Sequence, residues 1–256
     1  MQTLEKQNWA RARIVPAEID KYLRADGSDF IDDAEIARLL AETGAPEAAE
    51  VRAIVAKALA VQALSLAELA TLMRVRDPEL WAEMRAAAGA VKRQVYDNRI
   101  VTFAPLYLSS KCVNDCVYCG LRRSNPAVER RVLSMDEVRA ETEALAGKLG
   151  HKRLIVVYGE HPESDVEYIA ASIRAVYSVK VQARKGVGQI RRVNVNAAPM
   201  RVDELKILHQ CGLGTFQVFQ ETYDRRAYAQ LHPAGTLKSD FRWRLTAMHR
   251  AQEAGI

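Results

Sequence analysis

Three of the chain's four cysteines fall within one short stretch, KCVNDCVYCGLRRSN (111–125). Cys112, Cys116 and Cys119 are separated by three residues and then two. Thiols this close can hold a metal. A closed zinc site needs four ligands, and in a ribbon or finger these come as two separated pairs. The remaining thiol, Cys211, lies far downstream at a predicted helix end and reads as a small buried apolar residue. A 4Fe–4S cluster is normally held by four thiolates. Three leave one iron open to bind something else, and this is the favoured reading. A zinc site completed by a distant His, or cysteines without a metal role, are the alternatives.

The elements that must position these thiols change character near residue 100. Residues 1–100 are rich in Ala, Leu and Glu at three- and four-residue spacing, which predicts helices near 17–24, 33–42, 46–60, 66–75 and 79–97. Ser65 with Glu68 forms a capping box, and Pro78 suits a first helical turn. DGSDFIDD (26–33) superficially resembles a calcium loop, but its glycine is second rather than sixth and no closing Glu follows at the right distance. From Val101 strands are predicted over 101–109, 153–159, 190–197 and 214–220, alternating with helices over 134–150, 164–180, 201–212 and 239–255. Four consecutive β/α units imply a parallel sheet, half of an eightfold TIM-type barrel. The alternative, an open doubly wound sheet, would want a G-x-G-x-x-G after its first strand, and none occurs. The expected fold is therefore α/β, with a helical N-terminal region (1–100) followed by the N-terminal half of a barrel (101–256). Because the sequence stops at Ile256, as a fifth strand would begin, we expect either a fragment or a barrel completed by assembly. The cysteines follow the first strand directly, on the face where parallel barrels build active sites.

Composition narrows the class. A net charge of +5 is too weak to argue for nucleic acid. No apolar run approaches the ~18–20 residues of a membrane helix. MQTLEKQNWARAR lacks the apolar core of a secretory signal, and clustered thiols do not resemble a disulfide framework. The expected setting is a reducing cytoplasm.

C-x3-C-x2-C after the first barrel strand, with the aromatic Tyr118 before the last Cys, resembles the radical S-adenosylmethionine (SAM) superfamily. The resemblance implies a 4Fe–4S cluster whose open iron chelates SAM, and a 5′-deoxyadenosyl radical that takes a hydrogen atom from the substrate. APLYLSSKCVNDCVYCGLRRSN, YGEHP, IRRVNVNAAPM, GTFQVFQETY and HPAGTLKSDFRWRLTAMHRAQEAGI together resemble the tyrosine-cleaving maturases of FeFe-hydrogenase. These are close to the 2-iminoacetate synthases of thiamine biosynthesis. The resemblance implies a carbon–carbon lyase that cleaves L-tyrosine at Cα–Cβ to p-cresol and dehydroglycine. It also implies an electron donor, which the sequence does not name, and hydrogenase-maturation partner proteins.

It carries over to particular residues. Gly159 and Glu160, ending the second strand, would meet the SAM amino group, a charge-assisted contact; a surface-loop Glu is the plain alternative. Glu221 would accept from the ribose hydroxyls. Arg244 would reach the SAM carboxylate through its fork, although Arg242 is near enough to confuse the assignment. Asn194 and Asn196 share one face of the third strand and could line the SAM pocket or bond within the barrel. Tyr107 could line the interior, with core packing as the alternative. His161 and His232 each precede a proline and are expected to shape turns. The basic segment SVKVQARKGVGQIRR (178–192) reads as a solvated loop, or as a docking patch. Asp224 stands where the family commonly has His.

Overall fold

A computed structural model describes residues 9–10 and 12–256. It divides into two compact units, residues 31–101, and 102–256 together with the described residues up to Phe30. The first full helix, α1 (Pro16–Asp20), belongs to the larger unit and is shorter than the predicted span.

The smaller unit is four helices: α2 (Asp33–Glu42), α3 (Ala48–Leu59), α4 (Leu66–Arg74) and α5 (Pro78–Tyr96). Their starts are written locally. The Ser65 hydroxyl accepts from Glu68 N–H while the Glu68 carboxylate accepts from Ser65 N–H, closing the capping box at α4. Asp77 caps α5, with Pro78 at its first position. Val51, Val75 and Leu80 form the small core of this unit.

The larger unit runs β1 (Ala104–Ser109), α6 (Met135–Glu143, continued by a π-helical turn Ala144–Lys148), β2 (Arg153–Tyr158), α7 (Val166–Ser178), β3 (Val181–Gln182) and β4 (Val187–Gly188). It continues through β5 (Arg192–Asn196), α8 (Val202–Gln210), β6 (Thr215–Gln217), α9 (Arg225–Leu231), α10 (Phe241–Leu245) and α11 (Ala247–Glu253). Strands β1, β2, β5 and β6 make one parallel sheet in that order. The order follows the chain without reversing, which is the winding of a barrel; a doubly wound sheet reverses at a switch point. The fold is thus α/β with a partial barrel.

Three details depart from the sequence expectation. The basic loop carries an antiparallel hairpin, β3–β4. Helix α9 falls between the strand expected over 214–220 and the helix expected over 239–255, where the sequence pattern predicts no element. The single helix expected over 239–255 breaks at Thr246 and is preceded by a 3-10 turn, Leu237–Ser239.

Strand alternation sorts the sheet's faces. Leu106, Leu108, Leu154, Val156, Val193 and Val195 are buried in one core with Ile169 and Ile173 of α7 and Leu205 and Leu208 of α8. The opposite face carries two cross-strand layers. Pro105, Ile155, Asn194 and Thr215 form one, and Tyr107, Val157, Asn196 and Gln217 form the next, nearer the strands' C-terminal ends. Arg13 forms a buried ion pair with Glu204 of α8, and Lys21 pairs with Glu253 of α11 at 2.6 Å. Asp29, in the calcium-like stretch, is buried and paired with Arg225 (2.7 Å) and Arg242 (3.5 Å).

Candidate active site

The sheet's C-terminal ends open into a cavity of about 460 Å³. Cys112, Cys116 and Cys119 line it, together with Tyr118, Gly159, Glu160, Asn196, Glu221 and Arg244. The cysteine loop leaves β1, Glu160 follows β2, Asn196 ends β5 and Glu221 follows β6. Each therefore sits where consecutive β/α loops converge.

The cysteine loop is latched to the end of β2 at close range. Gly159 N–H donates to Ser109 O at 2.9 Å and Val113 N–H donates to Glu160 O at 2.8 Å. A Cβ on Gly159 would lie 2.2 Å from Lys111 O, so the approach requires glycine for space. All three thiols are free. Burial pushes the thiols of Cys112 and Cys116 up, so without a metal they are protonated near neutrality. Metal ligation reverses this, because the thiolate is the ligand.

Glu160 is buried. Asn114 Nδ2 donates to its Oε2 at 2.6 Å, and Arg244 Nη2 lies 3.9 Å from the same oxygen. Arg244 Nη1 donates to Phe219 O at 3.4 Å, while its Nε is buried with no partner. Arg242 is drawn to Asp29 instead. The two arginines are therefore distinguished by position, and Arg244 alone lines the cavity.

Across the cavity, Lys238 Nζ donates to Glu221 Oε1 at 2.8 Å and lies 5.4 Å from the centre of the Tyr118 ring, a cation–π contact. Burial pulls the Glu221 carboxyl up, but the Lys238 hydrogen bond and charge outweigh it and the net shift is down. The Tyr118 hydroxyl lies 3.0 Å from both Glu221 Oε1 and His232 Nε2. His232 Nδ1 faces Tyr228 O at 2.8 Å, and a carbonyl only accepts, so Nδ1 carries the proton. Burial holds the imidazole pKa down, so Nε2 of the neutral ring is an acceptor as well. One hydroxyl proton thus faces two acceptors. Glu221 itself has φ 71°, an uncommon left-handed setting for a side chain of its size.

Asn194 does not line the cavity. It shares a face with Asn196 but belongs to the deeper layer, two residues and ~7 Å down the strand, and its Oδ1 is buried without a hydrogen bond. Tyr107 lines the cavity. His161 caps the 3-10 turn Pro162–Ser164, accepting from Glu163 N–H, as a turn-shaping residue would. His232 does more than shape a turn, being buried between Tyr228 and Tyr118. Sequence reasoning missed Asn114 and Lys238. The only signal available was their nearness to the cysteine motif and to His232.

A partly open parallel barrel with three free thiols on its C-terminal face defines a class of proteins that hold an iron–sulfur cluster beside a small-molecule cavity. The chain belongs to the radical SAM superfamily, whose family model matches residues 106–256. It is 31% identical over 203 residues to the 2-iminoacetate synthase of Salmonella typhimurium, covering 79% of this chain and 50% of that one. Among solved structures it is similar to HydG, a maturase of the [FeFe]-hydrogenase, at 43% identity and a TM-score of 0.82, covering 90% of this chain and 49% of that one. It is also similar to HydG from Carboxydothermus hydrogenoformans, at 36% identity and a TM-score of 0.75, covering 87% and 50%. The chain spans about half the length of these relatives.

Membership implies a 4Fe–4S cluster and SAM as cofactors. The residues present fit them. Three free thiols line one cavity, a partnerless guanidinium nitrogen is buried at its edge, and the volume lies within the ~300–1,000 Å³ of ordinary ligand sites. Among the described residues no three His, Cys, Asp or Glu side chains converge as ligands of a single ion. A cluster does not require that, because each thiolate bonds a different iron. No helix of the described residues is long and apolar enough to cross a membrane.

Proposed function

We propose that this chain is the cofactor-binding half of a radical SAM lyase that cleaves L-tyrosine at Cα–Cβ to p-cresol and dehydroglycine, in the service of hydrogenase active-site assembly. The observation that carries the reading is the single cavity joining Cys112, Cys116 and Cys119 to Glu160, Glu221 and Arg244. The 43% identity to HydG supports the finer assignment. The 31% identity to a 2-iminoacetate synthase keeps that enzyme, which would make the same first cleavage for the thiamine pathway, as the second reading.

In this reading Cys112, Cys116 and Cys119 hold the cluster. When bound, the cluster and SAM supply the electron and the hydrogen-abstracting radical. The chain's own residues bind and orient. Glu160 faces an ammonium, and Arg244, with Nε unspent, faces a carboxylate. Glu221 offers an ionised acceptor to paired hydroxyls, and Tyr118 lies on the wall between cluster and carboxylate. A reducing, cytoplasmic setting suits the open thiols.

The test is anaerobic reconstitution of the chain with iron and sulfide. The expected result is a 4Fe–4S EPR signal that changes on adding SAM, and loss of iron in a Cys112→Ala, Cys116→Ala, Cys119→Ala triple variant. Retention of iron by that variant would place the metal elsewhere. With tyrosine and a reductant, p-cresol should form. A loaded, SAM-responsive protein that yields none would reduce the chain to a cofactor-binding module. Cyanide or carbon monoxide from the full-length parent would exclude the thiamine-pathway reading.

A further inference from the structure

Asn114 stands between Cys112 and Cys116, the first and second cysteines of the motif, yet it is neither a thiol nor a charge. It is 3% exposed. Its amide reaches two other segments and Cys112 of its own loop. Nδ2 donates to Glu160 Oε2 at 2.6 Å and lies 3.8 Å from Cys112 Sγ, within reach of a weak N–H···S bond. Oδ1 accepts from Lys238 N–H at 2.8 Å. Through the Lys238 side chain the connection continues to Glu221.

We propose that Asn114 is a positioning residue, resting on the cluster assignment above, that sets the reduction potential of the cluster and aims Glu160 into the cavity. The chemistry selects an amide. One end must present two N–H groups to two negatively charged neighbours, a carboxylate and a thiolate, and the other must accept a backbone N–H. Asp would place a second carboxylate against Glu160. Leu would orphan all three partners. A donor to a ligating sulfur stabilises the more negative, reduced cluster and so raises its potential. The loop's own shape does not depend on this side chain. Val113 N–H still meets Glu160 O, Arg123 N–H still meets Asn114 O at 2.9 Å, and Gly159 keeps its close approach.

Asn114→Ala and Asn114→Ser test this in the full chain, each reconstituted beside the unaltered protein. The readouts are iron and sulfide content, the midpoint potential from an EPR-monitored redox titration, and the SAM concentration needed for the EPR change. None requires turnover. The expected result is full iron content, a midpoint potential more negative than that of the unaltered chain, and about 10-fold or more SAM for the same response. Loaded variants with unchanged potential and SAM dependence overturn the inference. So do variants that remain folded but take up no cluster, since a hydrogen-bond donor tunes a cluster without being its ligand. If the unaltered chain itself takes up no cluster, the reading beneath falls and this inference with it. An unaltered chain that loads beside indistinguishable variants sinks the inference alone.

Discussion

Replacing Gly159 with Ala adds one carbon at the tightest point of the site. That Cβ would lie 2.2 Å from Lys111 O, 2.9 Å from Lys111 C and 3.2 Å from Cys112 Cβ. Two of these atoms are backbone, so no side-chain rotation relieves the clash. An ordinary carbon–oxygen contact is about 3.3 Å, and the loop must therefore recede by roughly 1 Å. Overpacking of this kind costs about 1–3 kcal/mol. The recession also stretches Gly159 N–H to Ser109 O and Val113 N–H to Glu160 O, two bonds worth about 1 kcal/mol each. With both bonds lost the sum is about 3–5 kcal/mol. The displaced atoms adjoin the Cys112 thiol, so iron loading should suffer with stability. The assay is urea unfolding of the iron-free chain, with iron content after anaerobic reconstitution. An alanine variant that unfolds at the same midpoint and binds iron normally would refute the claim that space at residue 159 fixes the cysteine loop.

Three other outcomes follow from the same structure. Arg13→Ala should destabilise the larger unit by about 2–3 kcal/mol in chemical unfolding, because the buried Glu204 carboxylate loses its direct guanidinium donor and keeps only Arg201, whose backbone N–H donates to Oε2 at 3.0 Å and whose Nε lies 3.6 Å away; an unchanged midpoint would contradict the pairing. Arg250→Met should cost a comparable amount by the same assay: this fully buried guanidinium, its pKa brought down to about 10 by burial, donates to Met200 O, Thr246 Oγ1 and Trp243 O, and methionine satisfies none of them. The folded-state pKa of Glu221 is depressed below the ordinary 4.5, so its tie to Lys238 contributes stability that is fully present above about pH 4.5 and is lost as pH falls through the depressed value. The difference in Tm between the unaltered chain and Glu221→Gln should therefore be visible at pH 7 and shrink below pH 4.5; a constant difference across that range would contradict the assignment.

Much of this architecture can be read from local patterns. The strands announce themselves by alternation, α4 and α6 by Ser–x–x–Glu boxes, and the cysteine motif by spacing alone. What resists reading is anything decided by a partner distant in the chain. Asn114 meets residues 46 and 124 positions away, and no spacing rule links KCVND to either. Arg242 and Arg244 are two residues apart on α10 and so point to different sides, but only the location of Asp29 says which side each takes. Alternation correctly groups Asn194 with Asn196 on one face, yet cannot say which layer reaches the cavity. The β3–β4 hairpin escaped because each strand is two residues long, too short for any periodicity.

The doubly solicited hydroxyl of Tyr118 has a consequence for how the cavity fills. A ligand hydroxyl that claims Glu221 Oε1 displaces whatever donated there before. In most buried sites the displaced donor would be stranded, at a cost of about 1–3 kcal/mol. Here the tyrosine proton turns to His232 Nε2, which stands at the same 3.0 Å and is held in its accepting form by Tyr228 O. The wall of the cavity thus carries its own spare acceptor for Tyr118, and Glu221 can exchange the tyrosine for a ligand hydroxyl while Lys238 stays on the same oxygen.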